Sequence, residues 1–424
     1  MLNAITIAPS SLTLSTSAFK HELRVAGARK RATAVLLVAP LAIFLMLIFV
    51  VPIGALLTRA VQNPEIAAAL PQTVVALSTW DRTALPPDAA YVALAADMAK
   101  VADNEAMGAL SRRLNSEIPG YRSLVTKTAR AMPLKDDKDT VPTPARTREK
   151  LVELDARWSD VAYWQAIAKN GSQVTPFYLL AALDHKQDGF GKFVAADPEQ
   201  SIYLKVFART FLIAGSVMLF TLLLGYPLAY WVSTLPARRA TLVMILVLIP
   251  FWTSVLVRVA AWIVILQSEG LVNKALVGSA LTSHPLELLF NRVGVYIAMT
   301  HILLPFMILP LYSVMKSIPP TYQRAAVSLG SHPFAAFWRV YVPQTYPGVG
   351  AGALLVFILA IGYYITPALL GGPNDQMVSY YVAYFTNSTI NWGMACALGG
   401  LLLAATLVLY AVYSRFTRSS VSLG

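Results

Sequence analysis

The sequence has a single cysteine, few charged residues and no histidine cluster. Cys396 stands alone, so no internal disulfide can form and the chain must be held together by packing. Charged residues make up only 13% of the 424 residues, about half the share found in soluble domains. The five histidines lie in separate segments without the spacing of metal ligands, so we expect no metal site. They are His21, His185, His284, His301 and His332.

The sequence also lacks a phosphate-binding loop. That loop requires two glycines with four residues between them, followed by Lys and Ser or Thr, and the stretch from Gly189 to Lys192 does not meet this spacing. The chain therefore cannot hydrolyse ATP by itself. We expect a protein that is not an enzyme, has no catalytic residues and holds no cofactor of its own.

Apolar residues, in contrast, are abundant. They form 56% of the chain, and the mean hydropathy is +0.57. Six apolar runs are long enough to cross a bilayer core of about 30 Å, and backbone in lipid must be helical. The sequence therefore predicts an all-α polytopic membrane protein with six transmembrane helices. The runs lie at about 32–58, 206–235, 240–266, 293–315, 347–370 and 393–414.

Prolines inside these runs predict kinked or broken helices, because proline removes a backbone donor. They include Pro40, Pro52, Pro227, Pro250, Pro305 and Pro367.

Lysine and arginine are concentrated on one side of the predicted membrane. They cluster before the first run, between the second and third, between the fourth and fifth, and after the sixth. The cytoplasmic side is the side enriched in these residues, so both termini are predicted to be cytoplasmic, as tails 1–31 and 417–424. The Ser/Thr-rich stretch to about residue 19 is expected to be disordered, without a cleaved signal peptide. The net charge of +12 follows from this asymmetry and does not indicate nucleic-acid binding.

A polar segment, residues 63–204, separates the first predicted helix (32–62) from the second, and we call it the insert. Because the first helix runs outward, the insert is predicted to be periplasmic. Helical patterns at about 88–102, 104–115, 146–169 and 175–185 predict a mostly helical domain.

The segment between the fourth and fifth runs, 319–345, has the pattern of two short helices joined by a turn. Thr321 is expected to cap the first helix, and Gly330 to close it in a left-handed conformation. Ser331 is expected to cap the second helix, and Pro343 to end it.

Four aromatic residues recur at helical spacing in the second of these helices, namely Phe334, Phe337, Trp338 and Tyr341. Such an apolar face is too large for a solvated linker and requires a partner. Two partners are open: another protein whose groove approaches the slim Ala325-Ala326 stretch, or the lipid headgroups, on which the helix would lie flat.

The loop has a recognisable spacing, with Ala325-Ala326, then Gly330 after three residues, and Pro343 after two aliphatic positions. This spacing resembles the EAA loop of permease subunits of bacterial ABC importers. Similarity to the spermidine/putrescine branch of that family extends over about residues 200–416. It is carried by Gly225-Tyr226-Pro227, Ile249-Pro250-Phe251-Trp252, Glu269-Gly270-Leu271-Val272-Asn273, Thr366-Pro367-Ala368 and Asn391-Trp392-Gly393.

The resemblance implies the ABC importer permease fold, with a core at 205–416 and a loop that docks into an ATPase subunit. The residues that it implies for this coupling are Arg324, Ala325, Ala326, Gly330, Phe334, Phe337 and Pro343. Two features depart from the family pattern. Arg324 stands where the loop usually begins with an acid, and the insert is absent from the typical polyamine permease.

The resemblance also implies the partners and the location. They are two ATP-binding subunits that bind ATP and Mg, a second and different permease subunit, a periplasmic solute-binding protein, and the lipid of the bacterial inner membrane. The chain would form half of a translocation pore for a polyamine, an opine or a similar amino-acid-derived solute. For the insert, two roles are open: a structural cap, or a docking surface for the solute-binding protein.

Residues within the predicted helices suggest a solute path. Aromatic faces can hold ammonium groups, although most membrane aromatics form interface belts or packing contacts. The candidates are Trp252, Arg258, Trp262, Tyr363, Tyr364 and Trp392. Arg258 must find a partner because a buried charge in a membrane is costly. It is expected to face the path, to pair with Glu269 or Asp375, or to reach the outer interface.

The alternative function is a secondary transporter driven by an ion gradient. Such a protein is expected to carry acids within its spans or related repeats. The predicted spans contain no aspartate or glutamate, and no related repeats are evident in the sequence.

Overall fold

The computed structural model describes residues 16–101, 105–135, 143–199 and 201–421. The chain divides into two units, Met1–Thr58 and Arg59–Gly424. Among the described residues, six helical segments are long and apolar enough to cross a membrane, as the sequence predicts. They are Ala32–Thr58, Tyr203–Thr234, Val255–Gly278, Arg292–Ser317, Pro333–Gly362 and Trp392–Arg415.

The first unit is one long helical element. Helix α1 (Thr16–Leu45) leads through a π-helical turn (Met46–Val50) into α2 (Val51–Thr58). From Ala32 to Leu56 its large apolar side chains are exposed, with Leu36 at 74% and Leu37 at 77%, so this described part of the unit contributes none of them to a buried core. This is the surface that a lipid-facing span presents. Residues 1–15 of the tail predicted to be disordered lie outside the described residues. Residues 16–19 of that tail are helical, because α1 begins at Thr16.

The insert consists of short helices and one hairpin. The helices are α3 (Pro64–Ala69), α4 (Pro71–Ala76), α5 (Asp88–Val101), α6 (Glu105–Asn115), α7 (Tyr121–Arg130), α8 (Pro144–Leu154), α9 (Val161–Lys169) and α10 (Phe177–Ala182), with a 3₁₀ turn at Ala156–Ser159. The strands β1 (His185–Gln187) and β2 (Phe193–Ala195) pair antiparallel.

Two of the helix predictions for the insert are wrong in detail. The segment 146–169 is broken, because Asp155 and Asp160 each accept a backbone hydrogen bond two residues ahead and thereby cap new turns instead of continuing a helix. The segment 175–185 ends early, and His185 begins the hairpin, which turns through Gly191 at φ +88°. The helices predicted at 88–102 and 104–115 are confirmed as α5 and α6.

An aromatic core holds the insert together. The rings of Tyr91 and Trp164 lie 4.5 Å apart, and those of Trp158 and Trp164 lie 5.2 Å apart. Each polar tip is satisfied: the Tyr91 hydroxyl donates to the Trp158 carbonyl at 3.0 Å, and the Trp158 indole donates to Thr128 at 3.0 Å. The insert therefore has a hydrophobic core that is independent of any membrane helix.

A second, polar cluster is buried within the insert around Arg113. Arg113 donates from Nε to Asn63 at 3.1 Å, and its Nη2 lies 3.0 Å from the Glu117 carboxylate and also bonds Asn170. Its guanidinium carbon lies 3.8 Å from the centre of the Phe177 ring. We call these residues the Arg113 cluster. It ties the start of the insert to α6, α9 and α10.

The insert also contacts the membrane core through α10. Tyr178 and Ala182 pack with Val206, Met394 and Leu398 in a common apolar cluster. The contact is close, because a side chain at Gly393 would collide with the Tyr178 ring.

The membrane core is built on three helices: α11 (Tyr203–Thr234), α15 (Arg292–Ser317) and α18 (Val342–Gly362). The remaining helices are α12 (Ala237–Leu248), α13 (Val255–Leu266), α14 (Leu271–Gly278), α16 (Thr321–Ser328), α17 (Pro333–Ala336), α19 (Ile365–Leu370), α20 (Val378–Asn387) and α21 (Trp392–Val421). Helices α15 and α18 approach closely at Gly352, where a Cβ would lie 2.8 Å from the Met307 sulfur and 3.1 Å from its carbonyl oxygen.

Two predicted spans differ from the structure. The run 240–266 is broken into α12 and α13, because Pro250 lies in a 3₁₀ turn (Ile249–Trp252) and Thr253 and Ser254 are extended. The run 347–370 ends at Gly362, after which Tyr363 is extended and α19 is separate. The third candidate span in the structure is Val255–Gly278 and contains Glu269. The sequence predicts this span at 240–266, with Glu269 in the following loop.

The acid stability of the insert is expected to depend on Asp155. Arg157 donates to this carboxylate from Nε at 2.9 Å and from Nη2 at 2.8 Å, and these hydrogen bonds hold the pKa of Asp155 well below its ordinary value. An aspartate with a depressed pKa stabilises the fold above its unfolded pKa of about 4, and this contribution is lost as the pH falls below that value.

We therefore expect Asp155→Asn to lower the thermal unfolding midpoint at pH 7, and the difference from the unmodified protein to shrink as the pH is lowered from 5 to 3. Glu153→Gln is the control, because Glu153 is an exposed carboxylate on the neighbouring helix α8. A difference that stays constant over this pH range would contradict the assignment.

Candidate functional site

The loop between α15 and α18 contains the turn that the sequence predicts at Gly330. Gly330 has φ +90°, in the left-handed region. The Gly330 amide donates to the Val327 carbonyl at 3.0 Å, and the Ser331 amide donates to the Ala326 carbonyl at 3.1 Å. This is the Schellman arrangement, in which glycine avoids the steric cost of a side chain. A Cβ here would meet no atom within 4 Å, so backbone conformation alone favours glycine.

The caps around this turn differ from those predicted. Pro320, not Thr321, precedes α16, and Thr321 is its first residue. The second helix is capped by His332, whose Nδ1 accepts from the Phe334 amide at 3.3 Å, and not by Ser331.

Pro343 does not end the second helix, contrary to the prediction. Helix α17, a π-helical turn (Phe337–Tyr341) and α18 form one continuous span from Pro333 to Gly362. Because Pro343 has no amide hydrogen, it cannot bond the carbonyl four residues earlier, and the wider turn directly before it absorbs the change in register. The second arm of the loop is thus a direct extension of the fifth span.

The aromatic residues of this arm divide into two pairs. Phe337 and Tyr341 face the core, where their ring centroids lie 5.2 and 5.3 Å from that of Tyr230 on α11. Phe334 and Trp338 are 68% and 54% exposed. The sequence had assigned all four to a single face, but the π-helical turn and the packing against α11 separate them.

The exposed pair continues into a larger apolar surface, which we call the loop face. Its members are Tyr322, Val327, Leu329, Phe334 and Trp338, and Leu329 is 89% exposed. Arg324, Ala325 and Arg339 are also exposed, whereas Ala326 is half-buried. Several exposed large apolar side chains in one short loop, with exposed arginines among them, are typical of a protein-docking surface.

The base of the loop is fixed to the end of α11. The Lys316 ammonium donates to the carbonyl oxygens of Ser233 at 3.1 Å and Leu235 at 3.2 Å, which are free at the C-terminus of that helix. Together with the edge-to-face contacts of Phe337 and Tyr341 with Tyr230, this connects the loop to α11, α15 and α18. A force on the loop face is therefore transmitted directly to the membrane core.

A second candidate site lies where α13, α15 and α19 meet. Arg258 lies one turn before Trp262 on α13. Helix α13 packs against α15, which carries His301, and against α19, which follows Tyr363. The Trp262 indole nitrogen donates to Nδ1 of His301 at 3.3 Å. We call these four residues the Arg258 cluster. The structure thus brings together three of the predicted path residues, and it adds His301, which the sequence analysis treated as one of five scattered histidines.

Neither acid proposed as a partner of Arg258 forms that pair. Asp375 accepts from Nε of Arg292 at 2.9 Å and from the Gly372 amide at 3.2 Å. Among the described residues no carboxylate, Glu269 included, lies within ion-pair distance of Arg258, and its Nε is buried without a hydrogen-bond partner.

The other three predicted path residues are not members of this cluster. Trp252 is 91% exposed in the turn between α12 and α13, and Tyr364 is 40% exposed. Trp392 begins α21 beside the insert helix α10. Within the described ranges, no three histidine, cysteine or acidic side chains are arranged to hold a metal ion.

Six candidate membrane spans among the described residues, and a loop with exposed apolar side chains between the fourth and fifth of them, are typical of a transport-system membrane component. Residues 216–420 match the family described as binding-protein-dependent transport system inner membrane component. The chain belongs to this family. It is therefore an inner-membrane ABC transporter permease and not itself an enzyme, and membership implies an ATPase and a periplasmic binding protein as partners. The alternative of a secondary transporter driven by an ion gradient is thereby set aside.

Several curated proteins are similar to the chain. It is 34% identical over 209 residues to the spermidine/putrescine transport system permease protein PotB of Haemophilus influenzae, covering 49% of this chain and 73% of that protein. It is 30% identical over 217 residues to PotB of Escherichia coli K12 (51% and 79% covered). It is 27% identical over 232 residues to the inner membrane ABC transporter permease protein YdcU of the same organism (50% and 70% covered).

Among solved structures, a bacterial alginate ABC transporter in complex with an alginate-bound periplasmic protein matches with 17% identity and a TM-score of 0.43. The match covers 52% of this chain and 79% of that one.

Proposed function

We propose that this chain forms half of the pore of an ATP-driven importer for a small amino-acid-derived solute, such as a polyamine or an opine. The similarity to permeases named for spermidine and putrescine supports the solute class. The observation that carries the coupling role is the loop face, because it is apolar, exposed and tied to the membrane core. The coupling residues are Arg324, Ala325, Ala326, Gly330, Phe334, Phe337 and Pro343, of which Phe337 and Pro343 act by holding the loop in place.

In this proposal two ATPase subunits bind ATP and Mg and close on each other, pulling the loops of two permease chains together. The second permease is a different chain, as in the spermidine/putrescine branch. The movement opens the pore outward to a periplasmic solute-binding protein, and hydrolysis reverses it, which is alternating access by rigid-body movement. The insert, with a hydrophobic core of its own, serves as a docking surface for the solute-binding protein in the periplasm.

Copurification tests the coupling role. We expect the affinity-tagged chain to retain its ATPase subunit, and Ala326→Glu or Gly330→Trp to lose most of it. Glutamate places a charge at Ala325-Ala326, where the side chains are small. Tryptophan at Gly330 adds a bulky side chain at a positive φ, a backbone conformation that residues other than glycine rarely adopt.

Gly191→Trp is the matched control. Gly191 has nearly the same backbone as Gly330, with φ +88°, and a Cβ there also meets no atom within 4 Å, but it lies in the hairpin of the insert. Equal retention of the ATPase by the Gly330 and Gly191 variants would refute the coupling role of the loop.

A further inference from the structure

Arg258 is a charged side chain without a counter-charge in a membrane-spanning segment. Its Nε is buried and has no hydrogen-bond partner. The helices that surround it, α13, α15 and α19, contain no aspartate or glutamate. Since an unpaired charge within a membrane is costly, such residues face a path or a ligand.

The neighbours of Arg258 add hydrogen-bond donors rather than acceptors. His301 uses Nδ1 to accept from Trp262, so in the neutral ring the proton lies on Nε2, which is then a donor. Tyr363 contributes a phenol hydroxyl that can donate. A guanidinium on α13, with an imidazole N–H and a phenol hydroxyl on the segments packed against it, matches the chemistry of a carboxylate, which accepts two parallel bonds from arginine.

The same arrangement is unfavourable for a bare polyamine. An ammonium group near Arg258 would meet a like charge without an intervening acid. Trp262, whose ring face could attract a cation, has its ring against His301, with centroids 5.3 Å apart.

We propose that the Arg258 cluster binds a carboxylate of the solute during its passage, so that the transported compound is an amino-acid-derived carboxylate rather than a polyamine. This inference rests on the proposed importer function and narrows its solute class.

The test uses the complete importer, with its ATPase, second permease and binding protein, reconstituted in liposomes. Four radiolabelled probes form two pairs that differ in one carboxylate: arginine with agmatine, and ornithine with putrescine. We expect uptake of a carboxylate-bearing member, and we expect Arg258→Gln to lower that uptake at least tenfold. Arg258→Lys should retain part of it, because the charge remains but the two parallel bonds do not.

Lys274→Gln is the matched control, since it removes one positive charge from an exposed position on the neighbouring helix α14 and should leave uptake unchanged. The amounts of ATPase and second permease that copurify are measured for every variant. An unchanged ATPase content keeps this test separate from that of the coupling loop.

Three results would overturn the inference. The first is uptake confined to agmatine or putrescine, or uptake of none of the four probes. The second is uptake that is insensitive to Arg258→Gln, as expected if Arg258 only reaches lipid headgroups. The third is loss of the second permease from the Arg258→Gln complex, which would show that Arg258 pairs with an acid of that subunit.

Discussion

Replacing both Phe334 and Trp338 by serine is expected to abolish ATP-driven uptake and to leave the fold intact. Both rings are more than half exposed, and their centroids lie 6.2 Å apart on the loop face. Aromatic anchors at an interface are commonly worth 2 kcal/mol or more each, so losing two should weaken docking by roughly a thousandfold. Uptake, ATPase retention and the thermal unfolding midpoint of the purified chain are the three measurements.

The neighbouring pair provides the contrast. Tyr341 is 7% exposed and contacts Tyr230, so Tyr341→Ala should cost about 3 kcal/mol of folding free energy and lower the unfolding midpoint clearly. A double serine variant that unfolds as readily as Tyr341→Ala would show that Phe334 and Trp338 are structural. A double serine variant with normal uptake would show that the loop face is not where the ATPase binds.

The second large effect is expected at Arg113. The Arg113 side chain is 2% exposed, and its guanidinium donates hydrogen bonds to Asn63 and Asn170 and forms an ion pair with Glu117. Without Arg113 the Glu117 carboxylate keeps Lys169 as a counter-charge. The buried side-chain oxygens of Asn63 and Asn170, however, lose their donor. Leaving these two acceptors unsatisfied costs about 2–6 kcal/mol together. We expect Arg113→Met to destabilise the insert by this amount.

Tryptophan fluorescence during denaturation in the intact chain measures this loss, because Trp158 and Trp164 lie in the core of the insert. The adjacent residue supplies the control: Arg112 is exposed on the same helix, and Arg112→Met should change stability little. Similar denaturation midpoints for the two variants would contradict the view that the Arg113 cluster stabilises the insert.

The features that sequence predicts well are those set by one dominant physical term. Long apolar runs must be helical in lipid, so the six spans are found. The turn at Gly330 is predicted because few residues other than glycine adopt a positive φ at that position.

Other features depend on contacts between distant residues and could not be predicted. Pro343 reads as a helix end, but a π-helical turn, held by packing of Phe337 and Tyr341 on α11, lets the helix continue. Asp375 is attractive as a partner of Arg258, but the fold places it beside Arg292. The role of His301 follows only from the packing of α13 against α15, which no local pattern encodes.

The contact between Tyr178 and Gly393 has a mechanical consequence. The Tyr178 ring packs directly against the backbone of α21 at Gly393, where there is no side chain, and little space is left between them. A tilt of the last span at this end would therefore press on the insert. We expect such a tilt to be transmitted through helix α10 to the insert.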